Sequence, residues 1–275
     1  MSLEAPSSFC TVATKPCSHE LYLFFHTMVK YHPTATVYVL ADTITHDRLK
    51  NDLPKTLNIK WYIELDQYSD LDRGKMEAKG LFAEFLMSKP RIIEIALAET
   101  PDTMFLDCDI IILSPMTDVD KSKELGISPQ LIQHEYRCRF GFFNAGTLWT
   151  KSKTLPDRWR FHTKTSRYYE QAAIEELARE YTHFMFNENY NFQTYRLIHP
   201  NAPVDDILKS FSVGNQVVIF KGLPIKFFHT HIGDSEGIMV GINELFLKLI
   251  KAAKMFDIYS LIIRSQRLKA EFAAS

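Results

Sequence analysis

The sequence predicts an α/β fold in which a mixed, mainly parallel sheet is flanked by helices. Short apolar segments rich in β-branched residues alternate with segments of helical spacing over the first 65 residues. This order is typical of parallel strands joined by right-handed crossovers. Acidic residues follow two of the apolar segments, and in open α/β sheets the ends of strands are where ligands bind.

The first half of the chain contains the regular part of this pattern. Segments such as Phe9–Thr14 and Thr36–Asp42 have the composition of buried strands. Apolar residues recur at helical spacing after His19, and Pro33 stops that helix. The expected strands are 9–14, 36–42, 59–65 and 103–106; the expected helices are 19–31, 45–53, 75–88 and 91–99, the last two split by Pro90.

The second half is less regular. The apolar segment 140–148 is interrupted by glycines and one asparagine, and 166–181 has a strong helical pattern. Segments 216–220 and 225–231 are expected to form a late hairpin around residues 222–224, and 241–264 a C-terminal helix. No internal repeat or linker interrupts the 275 residues, so we expect a single domain.

Composition excludes several classes of protein. Lys plus Arg (32) balances Asp plus Glu (33), which argues against a general binder of nucleic acid or anionic membranes. No run approaches the ~20 apolar residues of a membrane span. Residues 1–8 lack the features of a signal peptide. We therefore expect a cytoplasmic protein, unless the chain is a trimmed luminal domain.

The four cysteines, Cys10, Cys17, Cys108 and Cys138, show no metal-ligand spacing. Cys10 and Cys108 lie in apolar, strand-like segments, which indicates buried thiols and not disulfide partners. A reducing compartment fits this arrangement.

The segment 105–113 (FLDCDIIIL) is the most informative part of the sequence. It embeds Asp107 and Asp109 in apolar residues, and no Lys or Arg lies within eight residues of either acid. Two buried carboxylates need a positive partner. In an extended chain both project to one face, so they can bind one hard cation such as Mn²⁺ or Mg²⁺. The alternative is a strand end whose acids meet water at a turn.

Together with Asn144-Ala145-Gly146 and a late strand ending in histidine, these features resemble the GT-A glycosyltransferases. The nearest likeness is to the glycogenin- and galactosyltransferase-type retaining enzymes of family eight, over roughly residues 9–233. The resemblance implies a Rossmann-like GT-A fold and transfer of a sugar from a nucleotide-diphosphate donor to a hydroxyl acceptor such as a glycan. UDP is the favoured nucleotide and GDP is possible.

The resemblance also implies a metal centre. Asp109 would chelate Mn²⁺ or Mg²⁺, and Asp107 would contact the ribose or complete the metal shell. A third ligand would come from the segment 227–233, where His229 and His231 are equally good candidates. Paired or surface histidines without a metal are the alternative.

The same resemblance assigns nucleotide contacts to the first half of the chain, about residues 9–113. Thr11, Ala13 and Thr14 would seat the base and ribose. Asp42 would accept a hydrogen bond from the base, or simply cap a helix. Lys79, like Lys75 before it, would contact phosphate or ribose, or lie on a solvated helix face.

Donor-sugar and acceptor contacts would come from residues 114–275. Asn144 would bind sugar hydroxyls, with Ala145 and Gly146 allowing close approach of the backbone. Gln171 or Glu170 would face the anomeric carbon of a retaining enzyme. In an inverting enzyme, Glu170 would be the first candidate base.

One departure from the family concerns the diphosphate. The usual Lys-Pro-Trp after the late histidine is absent, and Asp234, Ser235 and Glu236 stand there instead. Lys221 or Lys226 would have to replace the missing lysine.

Three alternatives fit the D-x-D less well. A haloacid-dehalogenase-type phosphatase needs its first Asp near the N-terminus and a Thr or Val just past the second Asp, whereas Ile110 and Ile111 follow here. A nucleotidyltransferase is expected to have a glycine-rich G-x-G signature near the first strand, and this sequence has none there. A non-catalytic glycan- or nucleotide-binding module remains, although the intact acid pair argues against it.

Overall fold

The computed structural model describes residues 3–198, 201–233 and 239–273. Its strands are β1 (Leu3–Glu4), β2 (Phe9–Ala13), β3 (Thr36–Ala41), β4 (Asn58–Ile63), β5 (Thr103–Leu106), β6 (Ile110–Ile112), β7 (Val119–Asp120), β8 (Leu125–Pro129), β9 (Phe143–Thr150), β10 (His183–Met185), β11 (Asn191–Gln193), β12 (Phe211–Gly214), β13 (Val217–Phe220), β14 (Leu223–Pro224) and β15 (Phe227–His229). Its α-helices are α1 (Ser18–Tyr31), α2 (Thr43–Leu49), α3 (Arg73–Ala78), α4 (Phe82–Leu86), α5 (Ser88–Glu99), α6 (His134–Phe140), α7 (Leu155–Thr163), α8 (Tyr169–Glu180), α9 (Tyr195–Ile198), α10 (Val204–Lys209), α11 (Met239–Ala252) and α12 (Phe256–Ala273). None of these helices is long and apolar enough to cross a membrane.

The chain forms two compact units, each assembled from three separate segments. Unit 1 consists of Met1–Pro16, Thr34–Asp107 and Met116–Asn187, and unit 2 of Cys17–Pro33, Cys108–Pro115 and Glu188–Ser275. The expected division into a nucleotide-binding half (about 9–113) and a donor-sugar and acceptor half (about 114–275) concerns ligand binding, and it stays a prediction.

Unit 1 contains the main sheet. Its seven strands run in the order β10-β8-β9-β5-β2-β3-β4. β9 is antiparallel to both neighbours, and the other pairs are parallel. Helix α5 packs on the central strands and α8 on β9, around buried Trp159 and Leu148. The expected mixed, mainly parallel sheet flanked by helices is confirmed.

Unit 2 has two three-stranded sheets, β11-β15-β6 and β12-β13-β14. Helix α1 packs on β6 and on α12. Phenylalanine rings fill the centre, where Phe228 stacks on Phe246 with ring centroids 3.9 Å apart. Phe192 contacts both of these rings edge-on, an arrangement favoured by the ring quadrupoles.

Three predicted element boundaries are wrong. Pro90 does not separate two helices: it lies in the first turn of α5, where its missing N–H removes no helical bond. The expected helix 75–88 is instead α3 and α4, interrupted at Gly80, whose φ is +71°. The expected C-terminal helix is two helices, and Lys254 between them has a φ of +58°.

The late hairpin is also paired differently from the prediction. β13 turns at Lys221 and Gly222, both with positive φ, and pairs with β14. β15 pairs instead with β11 in parallel and with β6 antiparallel. This second pairing determines the position of the late histidines.

Candidate functional site

Asp107 lies directly after β5 in unit 1. Its N–H donates to the Gly146 carbonyl at 2.9 Å, continuing the β5–β9 ladder beyond Leu106. The β8–β9 register shifts here, because Ile127 pairs with Leu148 and the next residue, Ser128, pairs with Asn144. Extra residues on β9 therefore bulge beside Asp107, and they include Ala145 and Gly146.

Lys89 is the residue that sequence reasoning missed. Its ammonium lies 3.1 Å from a carboxylate oxygen of Asp107 and 3.1 Å from one of Glu170. Burial alone would lower the pKa of Lys89, but the two carboxylates outweigh burial and raise this pKa. Asp107 therefore has a cationic partner within the chain, because helix α5 brings a lysine from 18 residues away.

Amide side chains surround Asn144 in unit 1. The Asn144 Oδ1 accepts a hydrogen bond from the Gly146 N–H at 3.0 Å. Its Nδ2 lies 3.5 Å from the side-chain oxygens of both Gln130 and Gln171. Gln171 also donates through Nε2 to the Phe140 carbonyl at 2.8 Å. The predicted donor-sugar residues Asn144 and Gln171 are therefore brought together.

The predicted nucleotide residues are spread along β2, β3 and α3. Thr11, Ala13 and Thr14 are buried at and just after β2, and the Thr11 hydroxyl has no hydrogen-bond partner among the described residues. Asp42 is fully buried and caps α2: its carboxylate accepts from the N–H of Thr45 at 2.6 Å and from that of Lys15 at 2.7 Å.

Lys79 is exposed at the end of α3. Lys75, on the same helix, lies 3.5 Å from Asp72. The nucleotide role of all these residues stays a prediction.

In unit 2, Asp109 lies between two histidines. Ile110 pairs with His229 across the β6–β15 ladder, which places the histidine beside the residue before Ile110. The His229 Nε2 is 3.3 Å from one Asp109 oxygen, and the His231 Nδ1 is 3.7 Å from the other. Asp109 is largely buried, with 12% of its side chain exposed.

The two histidines differ in their second partners. The His229 Nδ1 faces the Asn191 Oδ1 at 3.2 Å, and the amide oxygen can only accept a hydrogen bond. His229 therefore donates from Nδ1 to Asn191, and its Nε2 faces Asp109. The His231 Nδ1 lies instead 2.9 Å from the carboxylate of Glu20, which is buried.

These contacts determine the charges. Glu20 raises the pKa of His231 well above its usual range, against the effect of burial and with help from Asp109. Burial would raise the pKa of the Asp109 carboxyl, but His229 and His231 hold it well below its usual range. Unit 2 thus has an ionised Asp109 carboxylate that faces two histidines.

Two buried asparagines hold these histidines. Asn191 begins β11. Asn243 on α11 accepts from the Thr230 hydroxyl at 3.0 Å and donates to the His231 carbonyl at 3.0 Å. A buried asparagine in an apolar strand or helix is the signal that could have marked both residues.

The replacements considered for the missing phosphate lysine have other partners. Lys221 pairs with Glu188 at 2.7 Å, and Lys226 donates to the Pro115 carbonyl at 2.7 Å. Asp234, Ser235 and Glu236, the departure from the family pattern, lie outside the described residues.

Several solved glycosyltransferase structures resemble this chain. The galactosyltransferase LgtC, in complex with donor and acceptor sugar analogues, matches with a TM-score of 0.59 at 16% identity, over 89% of this chain and 95% of that chain. The chain has a glycosyltransferase fold. Mouse xyloside xylosyltransferase 1 matches with a TM-score of 0.55 at 12% identity, over 82% of this chain and 97% of that chain. GlyE of Streptococcus pneumoniae matches with a TM-score of 0.58 at 13% identity, over 97% of this chain and 64% of that chain.

The sequence matches no protein-family model and no curated protein. The resemblance to GT-A glycosyltransferases is thus confirmed by the fold, and sequence similarity adds nothing to it.

Proposed function

We propose that this chain is a metal-dependent glycosyltransferase that moves a sugar from a nucleotide-diphosphate donor to a hydroxyl acceptor such as a glycan. UDP is the favoured nucleotide, and GDP is the second candidate. Mn²⁺ or Mg²⁺ is the proposed cation, and retention of configuration is the proposed outcome.

The orientation of His229 carries the proposal. A metal-ligating histidine usually donates its second N–H to an oxygen, which fixes the tautomer and aims the lone pair at the ion. Asn191 accepts from Nδ1 of His229, and the Nε2 then faces the Asp109 carboxylate at 3.3 Å. This is the arrangement expected of two ligands of one cation.

The same contacts favour His229 over His231. An imidazolium has no lone pair to offer a metal, and the contact with Glu20 favours the imidazolium form of His231. We therefore assign His229 as the third ligand, and His231 as a counter-charge to Glu20 and Asp109.

Asp107 is the second carboxylate of the proposed centre. It is two residues from Asp109, so covalent geometry keeps their α carbons within about 7 Å. A bound cation would neutralise the charge that develops on the leaving diphosphate. Lys89 adds a fixed positive charge next to Asp107 and so orients this carboxylate.

The amides of Asn144 and Gln171 are the proposed contacts of the donor sugar. Each amide can both donate to and accept from hydroxyl groups. Their mutual separation of 3.5 Å is long for a hydrogen bond, so sugar hydroxyls can compete for both groups. An active-site mutant of LgtC replaces a glutamine by glutamate, and glutamine is the residue type that we place beside the reacting sugar here.

The ion pair of Glu170 supports retention. An inverting enzyme needs a carboxylate that deprotonates the acceptor hydroxyl. Glu170 was the candidate base, but its carboxylate is buried and bound to Lys89. Because Lys89 already occupies this carboxylate, we assign Glu170 a positioning role and place Gln171 at the anomeric carbon.

The test is a thermal melt of the protein with Mn²⁺ and a panel of UDP, GDP, CDP and phosphate. Binding to the native state raises the melting temperature by mass action. We expect an increase that needs both Mn²⁺ and one nucleoside diphosphate. Loss of the increase in Asp109→Asn and His229→Gln, with retention in Asp157→Asn, would localise it; the Asp157 side chain is 82% exposed on α7.

The catalytic half of the proposal needs a second readout. Incubation with the matching nucleotide-sugar and Mn²⁺ should release free sugar slowly, since water can replace a missing acceptor. Binding without release would indicate a non-catalytic module. No melting shift with any diphosphate would reject the donor site.

A further inference from the structure

A second group of potential metal ligands lies in unit 2 and has a different chemistry. Cys17 is the residue that precedes α1, and Glu20 lies in the first turn of that helix. Cys108 precedes Asp109 before β6. The two sulfur atoms and a Glu20 carboxylate oxygen all lie within 4.8 Å of one another. Cys108 and Glu20 are buried, at 8% and 4% exposure.

We propose that Cys17, Glu20 and Cys108 form a binding site for a thiophilic divalent cation such as Zn²⁺. Zn²⁺ binds thiolate sulfur at about 2.3 Å and carboxylate oxygen at about 2.1 Å in a tetrahedron, so its ligand atoms are about 3.5–3.8 Å apart. The ligand atoms of the three side chains must therefore approach one another by about 1.3 Å at most. Such a movement needs only small side-chain rotations.

The donor set selects against the cation proposed for the D-x-D. Mn²⁺ and Mg²⁺ prefer oxygen ligands, whereas thiolates favour Zn²⁺ and similar ions. Three protein ligands leave a fourth tetrahedral position for water. The softer ion would therefore bind at Cys108, and the harder ion at its chain neighbour Asp109.

Glu20 is already oriented for this role. The Nδ1 of His231 holds one Glu20 oxygen at 2.9 Å, and ligating carboxylates are normally hydrogen-bonded in this way. Glu20, Cys108 and Asp109 line one shallow crevice of unit 2, together with Leu23 and Thr230.

Cys108 and Cys17 are hydrogen-bonded to each other. This hydrogen bond and burial raise the pKa of the Cys108 thiol well above its usual range. Zn²⁺ would displace both thiol protons to the solvent and replace the sulfur–sulfur contact. Because Cys108 adjoins Asp107 and Asp109 in the chain, an occupied site would hold the D-x-D segment; that regulatory consequence rests on the proposed function.

The test uses Co²⁺ as a spectroscopic substitute for Zn²⁺. Cysteine thiolates bound to Co²⁺ give a ligand-to-metal charge-transfer band, which oxygen and nitrogen ligands do not. The titration is made in full-length Cys138→Ser protein, because Cys138 and His134 on α6 are 3.4 Å apart and form a second potential ligand pair. We expect one equivalent of Co²⁺ to produce the band and Zn²⁺ to abolish it.

Matched variants decide the result. Cys17→Ser and Cys108→Ser, each in the Cys138→Ser background, should lose the band, and Glu20→Gln should weaken Co²⁺ binding at least tenfold. Cys17 is only half-buried, so its variant stays informative if Cys108→Ser fails to fold. An absent band at millimolar Co²⁺, or an unchanged band in Cys17→Ser, overturns the proposal. Neither result depends on nucleotide-sugar binding, so failure here is separate from failure of the proposed function.

Discussion

Replacing Lys89 by methionine tests the charge arrangement in unit 1. Methionine keeps most of the volume of the lysine stem but removes the ammonium that contacts Asp107 and Glu170. Only 12% of the Lys89 side chain and 7% of that of Glu170 are exposed, so solvent screens the pair weakly. Two carboxylates would then share a partly buried space without a counter-charge.

The expected destabilisation follows from that burial. Breaking a buried ion pair by removing one partner costs about 3–5 kcal/mol. Asp107 is 26% exposed and can turn towards water, so we take the lower end, about 3 kcal/mol. For a chain of this size, that value lowers the melting temperature by about 6–12 °C.

The assay is calorimetric melting of Lys89→Met beside Lys79→Met, an exposed lysine whose loss should change stability by no more than about 0.5 kcal/mol. Adding Glu170→Gln removes one of the two facing charges. The double variant should therefore lose at least about 1 kcal/mol less unfolding free energy than the sum of the losses of the two single variants. A melting temperature of Lys89→Met within about 2 °C of the parent would refute the reasoning, since that is the scale of a surface substitution.

Three further predictions concern other parts of the chain. Asn191→Leu frees the Nδ1 of His229, so Mn²⁺ affinity measured by calorimetric titration should fall about 10–100-fold; an unchanged affinity would show that Asn191 does not orient a ligand. Burial, aided by the charge of Lys226, lowers the pKa of His32 to about 4, so the unfolded chain binds the extra proton between about pH 6.5 and 4. The unfolding free energy should then decrease as pH falls through this window, by at most about 3 kcal/mol, and His32→Gln should remove that part of the slope in urea titrations. Gly141 has a φ of +110°, and an added Cβ would lie 3.1 Å from the Ala172 Cα; Gly141→Ala should cost about 2 kcal/mol more than Gly80→Ala, where φ is also positive but no atom lies within 4 Å. Equal losses in the two alanine variants would show that the contact with α8 is unimportant.

The sequence was sufficient for four of the seven strands of the main sheet, because local patterns encode them. Apolar, β-branched segments predicted β2, β3, β4 and β5 within two residues at each end. The D-x-D was placed directly after β5, and Asp107 lies there. Patterns of this kind depend only on neighbouring residues.

The predictions that failed concern residues whose partners are distant in the chain. Lys89 was invisible as the partner of Asp107, because a helix and a strand had to pack before the two met. The pairing of β15 with β6 and β11 was missed for the same reason, and so was the grouping of Cys17 with Cys108. Pro90 was misjudged because a proline one turn earlier or later in a helix has opposite effects.

Unit 2 combines an early segment of the chain with its C-terminal part, and this has a consequence for synthesis of the protein. Helix α1 packs on α12, and Lys30 is bound to Asp257, 227 positions later. A ribosome adding about 5–20 residues per second needs about 10–45 s to make the chain between these helices. Leu23 of α1, which belongs to the same core cluster as Ile258 and Ile262 of α12, lacks these partners for that time. Nascent chains of this protein therefore offer a binding site to ribosome-associated chaperones until the last helix emerges, and a C-terminal truncation would leave that site open permanently.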